Sequence, residues 1–247
     1  KEKGLEHLAA VLFEQTLETD PLRAAASYVD PGKEVDSAED ALSGARDIIA
    51  EWVNEDQDAR ERMRGLFLGK GLFRSRVIPG KETEGAKFRD YFDWEEPVAT
   101  APSHRVLAMR RGEREEILEI DIFPPEEEAL EILKGLFVKG EGAASEEVHR
   151  AVSDAYRRLL APAMETEVRM DTKKRADAEA IRIFSDNLRE LLLAPRLGEK
   201  GVMAIDPGFR TGCKVVCLSP RGEVLQTDTI FPFGSEGAKK AAPSTAR

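Results

Sequence analysis

The sequence predicts a mainly α protein: a helical scaffold with a helix-turn-helix-like or winged element inside it, followed by the first antiparallel β-strands of an α/β domain. Three observations carry this expectation. Charged residues make up 34% of the chain and aromatics only 6%, with Ala, Leu, Glu and Arg dominant, a helix-rich balance. Apolar residues recur at helical spacing through most of residues 5–193. The boundary Ala194-Pro195-Arg196-Leu197-Gly198 then introduces short runs that read as strands and turns.

Leu5, Leu8, Ala9, Leu12 and Phe13 predict a first amphipathic helix, closed by Asp20-Pro21. Residues 22–29 suit a second short helix, ended by the turn Asp30-Pro31-Gly32. A third starts near Asp36 or Ser37 with capping-box spacing and lays Leu42, Ala45, Ile48, Ile49, Trp52 and Val53 on one face. Residues 57–68 form a fourth, with Met63, Leu66 and Phe67, broken by Gly69 and Gly71. The alternation Phe73, Ser75, Val77 that follows predicts a strand over 72–78, so helix plus strand reads as a wing.

The aromatic stretch Lys87 to Trp94 is assigned to a short helix, and residues 97–102 must be extended or turned because of their prolines. Pro102-Ser103 starts a helix over 104–111, ended by Gly112, and Leu118, Ile120, Ile122 alternate on a strand stopped by Pro124-Pro125. Helices are expected over 125–136 and 145–160, then along a segment reaching Leu193, with Pro162 kinking or starting one of them. In that segment Ala180, Phe184, Leu188, Leu191 and Leu192 are in register while 171–175 is wholly polar, which predicts a long exposed connector helix. After the boundary, residues 201–205, 211–218 and 224–231 read as strands of a β-meander, and 234–247 as a disordered tail. The expected divisions are 1–56 (helical), 57–125 (mixed helix and strand), 126–198 (helical with connector), 199–233 (meander) and 234–247 (tail).

At 247 residues the chain is long enough for more than one core. It has no apolar run near the roughly 20 residues a membrane span needs, and its start lacks a signal peptide's apolar stretch, so a cytoplasmic setting and no membrane partner are expected. Cys213 and Cys217 would sit about 13 Å apart on one strand face, too far for a disulfide. His7, His104 and His149 are scattered, which argues against a structural zinc. No nucleophile pattern accompanies His104, which reads as a packing or capping residue rather than a base. No small-molecule substrate is expected.

A net charge of -10 excludes a surface that binds polyanions indiscriminately. Against that background Arg62, Arg64, Lys70, Arg74, Arg76 and Lys81 form an island of six basic residues with no acidic one between them. It has two readings: a solvated face, or a phosphate-contacting wing-and-helix surface using Arg64, Lys70, Arg74, Arg76 and Lys81. Phe88, Tyr91, Phe92 and Trp94 likewise suit either core packing or base stacking.

Asp206 is the one candidate catalytic carboxylate. A strand ending in a carboxylate, then a glycine turn and two antiparallel strands, is how the ribonuclease-H-like fold opens, with that carboxylate helping to hold Mg²⁺. A two-metal site needs several carboxylates on separate elements to hold ions roughly 4 Å apart, so Asp206 alone is insufficient. Asp206-Pro207-Gly208 is equally an ordinary turn.

The run Gly201 to Lys214, GVMAIDPGFRTGCK, resembles the start of the YqgF (RuvC-like) domain of the Tex family of bacterial transcription accessory proteins. Four upstream stretches resemble the same family in order and spacing: Gly44 to Glu51, Lys87 to Asp93, Pro102 to Arg105, and Ala161 to Glu167. The resemblance covers about residues 1–233. It implies a cytoplasmic nucleic-acid-binding factor, similar in architecture to a eukaryotic elongation factor that also handles histones. It also implies a helix-turn-helix-containing helical region, the YqgF domain, helix-hairpin-helix units and a C-terminal OB-type RNA-binding domain. The chain is expected to start after the family's first helices and to stop a few strands into YqgF. The family's YqgF domain is often regarded as lacking nuclease activity, which makes Asp206 a landmark more than a ligand.

The expected function is therefore a scaffold for RNA- or DNA-binding modules in a transcription accessory factor, acting by binding and without a cofactor, with transcription machinery as a further partner. One alternative is a RuvC-like nuclease or resolvase that uses Asp206 and Mg²⁺ in a longer protein. Another is a protein-interaction scaffold on transcription or translation machinery.

Overall fold

A computed structural model of the chain describes residues 3–194, 197–208 and 211–232. The expected tail, and Phe209 and Arg210 of the turn after Asp206, lie outside the described residues. The chain divides into two compact units, one ending at Ser185 and the other starting at Asp186.

In the first unit, α1 (Glu6–Glu14) buries Leu8, Ala9 and Leu12. It ends at Gln15, whose φ of 60° turns the chain into the left-handed region. Asp20-Pro21 opens α2 (Pro21–Ala26) instead of closing α1: the Asp20 carboxylate accepts the Arg23 N–H at 3.2 Å, and proline sits where no N–H is needed. Ser37 caps α3 (Ala38–Glu55), accepting the Asp40 N–H at 3.1 Å and donating its hydroxyl to the Asp40 carboxylate at 2.7 Å. The predicted face of α3 is buried at Leu42, Ala45, Ile48, Ile49 and Val53, and the half-buried Trp52 meets Phe13 edge to face at 5.6 Å.

Asp56 separates α3 from α4 (Gln57–Lys70) and caps the latter through the Ala59 N–H. The helix runs through Gly69 and stops at Gly71, where a Cβ would sit 2.1 Å from the Phe67 carbonyl oxygen. Next comes β1 (Leu72–Val77), the middle strand of an antiparallel sheet ordered β2-β1-β3. The aromatic stretch is helical only in part. A 3-10 turn over Ala86–Tyr91 gives way to β2 (Asp93–Pro97), which carries Trp94 and Glu96 toward the core and Asp93 and Glu95 toward solvent. That alternation of charge and burial is a strand signal the aromatic content masks.

Helix α5 (Ser103–Arg114) continues past Gly112, the expected stop. A Cβ at Gly112 would lie 2.5 Å from Leu118 Cδ1, so glycine here permits close approach of α5 to β3 (Leu118–Phe123) rather than ending the helix. Inward residues Phe73, Ile120 and Ile122 join the core, and buried Ser75 donates its hydroxyl to the Tyr91 carbonyl at 2.8 Å.

Helices α6 (Glu126–Phe137) and α7 (Ala143–Ala155) follow, then a π-helical turn over Tyr156–Leu160 that leads without a break into α8 (Ala161–Leu193). There the Ala161 N–H reaches the Tyr156 carbonyl, five residues back, immediately before Pro162, which has no N–H to give. Met164, Val168, Thr172 and Ala176 form a buried row along α8. In the polar stretch 171–175, Asp171, Lys173, Lys174 and Arg175 are exposed as expected, and Thr172 alone departs: it is 3% exposed, and its hydroxyl is satisfied by the Val168 carbonyl at 2.7 Å. Beyond Ala176 the apolar register shows at the surface, with Ile181, Phe184, Leu188 and Leu191 exposed. Fully buried Leu8, Leu12, Ile49, Phe67, Phe73, Ile122, Leu133 and Leu160 tie helices and sheet into one core, each contributing about 1.5–3 kcal/mol relative to an exposed side chain.

The second unit contains the expected antiparallel meander: β4 (Val202–Asp206), β5 (Cys213–Leu218) and β6 (Val224–Ile230), ordered β4-β5-β6. Ser219 fixes the β5–β6 turn by accepting the Arg221 and Glu223 N–H groups, both at 3.2 Å. The protein is thus mainly α, with a small inserted sheet and then a meander.

Candidate functional site

Five members of the basic island face carboxylates. On α4, Arg62 pairs with Asp58 at 3.1 Å, and Arg64 donates to Glu167 of α8, which also lies 3.9 Å from Arg60. Lys70, at the end of α4, reaches Glu128 of α6. Arg74 on β1 meets Asp121 of β3 at 3.1 Å while its guanidinium lies 4.2 Å from the centroid of the Phe123 ring. Lys81 pairs with Glu84 at 2.7 Å. The hydrogen bonds that Arg64 and Lys81 donate to Glu167 and Glu84 raise the pKa values of the two basic groups. Arg76 differs: it is exposed and makes no ion pair among the described residues.

Arg74 and Arg76 share the outer face of the sheet. Register places Arg74 between Glu95 and Asp121, and Arg76 between Asp93 and Glu119. Side chains directly opposite in an antiparallel pair project to one side, so a column of two cations runs between two columns of carboxylates. Sequence reasoning missed these neighbours because all four acids lie outside residues 62–81 and come beside Arg74 and Arg76 only through strand register.

The α8 carboxylates are a second set it missed. Glu165 accepts the Ile122 N–H at 3.2 Å and pairs with Arg169 at 2.9 Å, Glu167 holds Arg64, and Glu179 accepts the Ser103 hydroxyl. Burial alone would lower the Arg169 pKa, but the hydrogen bonds it donates to Glu113 and Glu165, with their negative charge, more than reverse it. A signal existed, since Glu165 and Glu167 both fall in the 161–167 stretch singled out by resemblance. His104 is exposed on the first turn of α5, which has no side-chain cap, so it neither packs nor caps as expected. Among the aromatics, Phe88 is buried, and Tyr91, Phe92 and Trp94 are half-buried, Trp94 lying 5.1 Å from the Arg105 guanidinium.

Asp206 ends β4 where the sequence reading placed it and is exposed. Its register partner is Lys214, which in turn faces Thr229. The other strand carboxylate of the meander, Asp228, pairs with Val215, next to Ile205, and therefore belongs to the opposite face. There it lines a concavity of about 180 Å³ with Met203, Cys217 and Ile230. The two acids diverge, and among the described residues no group of three or more His, Cys, Asp or Glu side chains is placed to hold a metal ion. Among the described residues no helix is long and apolar enough to cross a membrane.

A helical core with an inserted antiparallel sheet, leading into a meander whose first strand ends in Asp206, defines a two-part architecture that comparison with known families identifies. Residues 16–184 match the family described as Tex central region-like, and residues 200–247 match the Tex protein YqgF-like domain. The chain belongs to the Tex family. It is 39% identical to Protein tex of Bordetella pertussis, over 94% of this chain and 31% of that protein. It is 33% identical to Transcriptional accessory protein Tex of Neisseria gonorrhoeae, over 93% of this chain and 31% of the relative. S1 RNA-binding domain-containing protein 1 of Homo sapiens is 25% identical over 98% of this chain and 25% of its own length. The chain thus spans about a third or less of each of these relatives.

Proposed function

We propose that this chain is the scaffold portion of a nucleic-acid-linked transcription accessory factor, holding RNA- or DNA-binding modules in place and working by binding rather than catalysis. The observation that carries this reading is the locking of α4, α5 and the sheet onto α8 through Arg64–Glu167, Ser103–Glu179 and Glu165–Ile122. Each of these contacts joins residues 43 or more positions apart in sequence, so together they fix where α4, α5 and the sheet sit on α8. The names of the relatives, a transcriptional accessory protein and an RNA-binding-domain protein, supply the setting. In this reading Arg64, Lys70, Arg74 and Lys81 are structural keys.

A second reading, direct phosphate contact by the island, has Arg76 in its favour, because that guanidinium is exposed and unpaired among the described residues. Anisotropy titration of labelled single-stranded RNA and duplex DNA over a range of salt separates the two. The scaffold reading expects weak binding whose salt slope corresponds to about one phosphate contact and is little changed in Arg74→Glu/Arg76→Glu. A slope of several contacts that flattens in that variant would establish direct contact and overturn the scaffold assignment of the island. A nuclease reading rests on the place of Asp206 alone, since no other strand carboxylate of the meander shares its face.

A further inference from the structure

The outer face of the β2-β1-β3 sheet carries a charge pattern that the scaffold role does not use. Asp93 and Glu95 on β2 and Glu119 on β3 are exposed, as is Arg76 between them; none of the four is in an ion pair among the described residues. Only Arg74 and Asp121 are closed on each other. Four carboxylates against two guanidinium groups leave this face net negative, so it repels phosphate at close range. At the end next to Arg74 the face turns apolar, with half-buried Leu72 and Phe123 and exposed Pro97 in one register row.

We propose that this face docks a basic, extended segment of a partner protein. Carboxylates two residues apart on one strand are about 7 Å apart, the same repeat that places every second side chain of an extended chain on one side. Asp93 and Glu95 therefore match two arginines or lysines spaced by one residue, and Glu119 receives a third from across the sheet. An aliphatic residue at the end of the segment lies against Leu72 and Pro97. Arg76, in the middle column, is the one unpaired group that opposes such a partner, and it limits the face to segments whose cations fall on the flanks. Complementarity of this sort sets partner choice and encounter rate more than final affinity. The inference goes beyond the scaffold role and stands without it.

The test uses the whole 247-residue chain and a fluorescein-labelled peptide of alternating arginine and threonine, followed by anisotropy at low salt. Glu95→Lys/Glu119→Lys is expected to weaken binding by about tenfold or more. Glu14→Lys/Glu18→Lys, the same charge change at exposed positions away from the sheet, is expected to leave affinity within about twofold, the effect of net charge alone. Arg76→Glu is expected to tighten peptide binding. If the lysine pair impairs folding, Glu95→Gln/Glu119→Gln replaces it, with a smaller loss in the same direction. Absence of peptide binding, equal weakening by the two lysine variants, or weakening by Arg76→Glu would overturn the proposal. Arg76→Glu also separates it from phosphate contact, which requires that variant to bind RNA less well.

Discussion

The Glu165 carboxylate on α8 accepts the backbone N–H of Ile122 on β3 at 3.2 Å, and the same oxygen takes a hydrogen bond from Arg169 at 2.9 Å. Strand β3 is at the edge of its sheet, and unpaired edge N–H groups are a liability that folds must cover. A helix side chain here does the work of a missing strand. Glu165→Ala leaves the Ile122 N–H and the mostly buried Arg169 without this acceptor, and should cost about 1–3 kcal/mol. Glu165→Gln keeps an acceptor and should lose less. Urea unfolding of the two variants, followed by helix signal, checks the order.

Gln15 makes a second junction of this kind. Only 8% exposed, it donates to the Phe137 carbonyl at 2.7 Å and accepts the Lys139 N–H at 2.8 Å, so the end of α1 is stitched to the end of α6. It does so at a φ of 60°, where a side chain is strained. Gln15→Ala should cost about 2–3 kcal/mol by orphaning both backbone groups. Gln15→Gly loses the same bonds but relieves the backbone, and should be less destabilised than the alanine variant by about 1 kcal/mol. Equal unfolding midpoints would show that the left-handed conformation carries no strain.

Much of this fold could be read from local pattern. A capping residue at Asp36 or Ser37 marks the start of α3, with the structure choosing Ser37, the alternation at Leu118, Ile120 and Ile122 marks β3, and the apolar runs after Gly198 mark the meander, because each is decided by neighbours a few residues away. What was not legible depends on distant chain. Gly112 looks like a helix stop until Leu118 is placed against it, and Thr172 looks exposed until α8 is packed. The island's run of cations is plain in sequence, yet Arg74 is neutralised from 47 residues away and Arg64 from 103 residues away. For Asp206, local pattern sufficed to place it at the end of β4, while the divergence of Asp228 follows only from strand register.

Glycines in helices separate the two kinds of position. At Gly112 an added methyl meets Leu118 Cδ1 at 2.5 Å and Cγ at 2.8 Å, so Gly112→Ala should destabilise by about 1–3 kcal/mol through overpacking. At Gly65 in α4 an added methyl meets nothing within 4 Å, and Gly65→Ala should stabilise by about 0.5–1 kcal/mol through helix propensity and a less flexible unfolded chain. Thermal unfolding of the pair should move midpoints in opposite directions.

Acid stability should report the solvent-accessible cluster at the end of α5. Hydrogen bonds from Lys87 and then Arg111 hold the Glu115 carboxyl below its ordinary value of 4.5. A carboxylate whose pKa is depressed on folding adds stability that is fully present above the unfolded-state value and is lost as pH falls through the folded one. Glu115→Gln removes that contribution, so the difference in stability between wild type and variant should shrink as pH is lowered from neutral through and below 4.5. Urea midpoints over that range give the trend, and carboxyl chemical shifts of Glu115 locate its titration directly. A titration at or above the ordinary value would remove the basis for the pH dependence. Because the group is open to solvent, the effect should also fade with added salt, as screening weakens the Lys87 and Arg111 contacts.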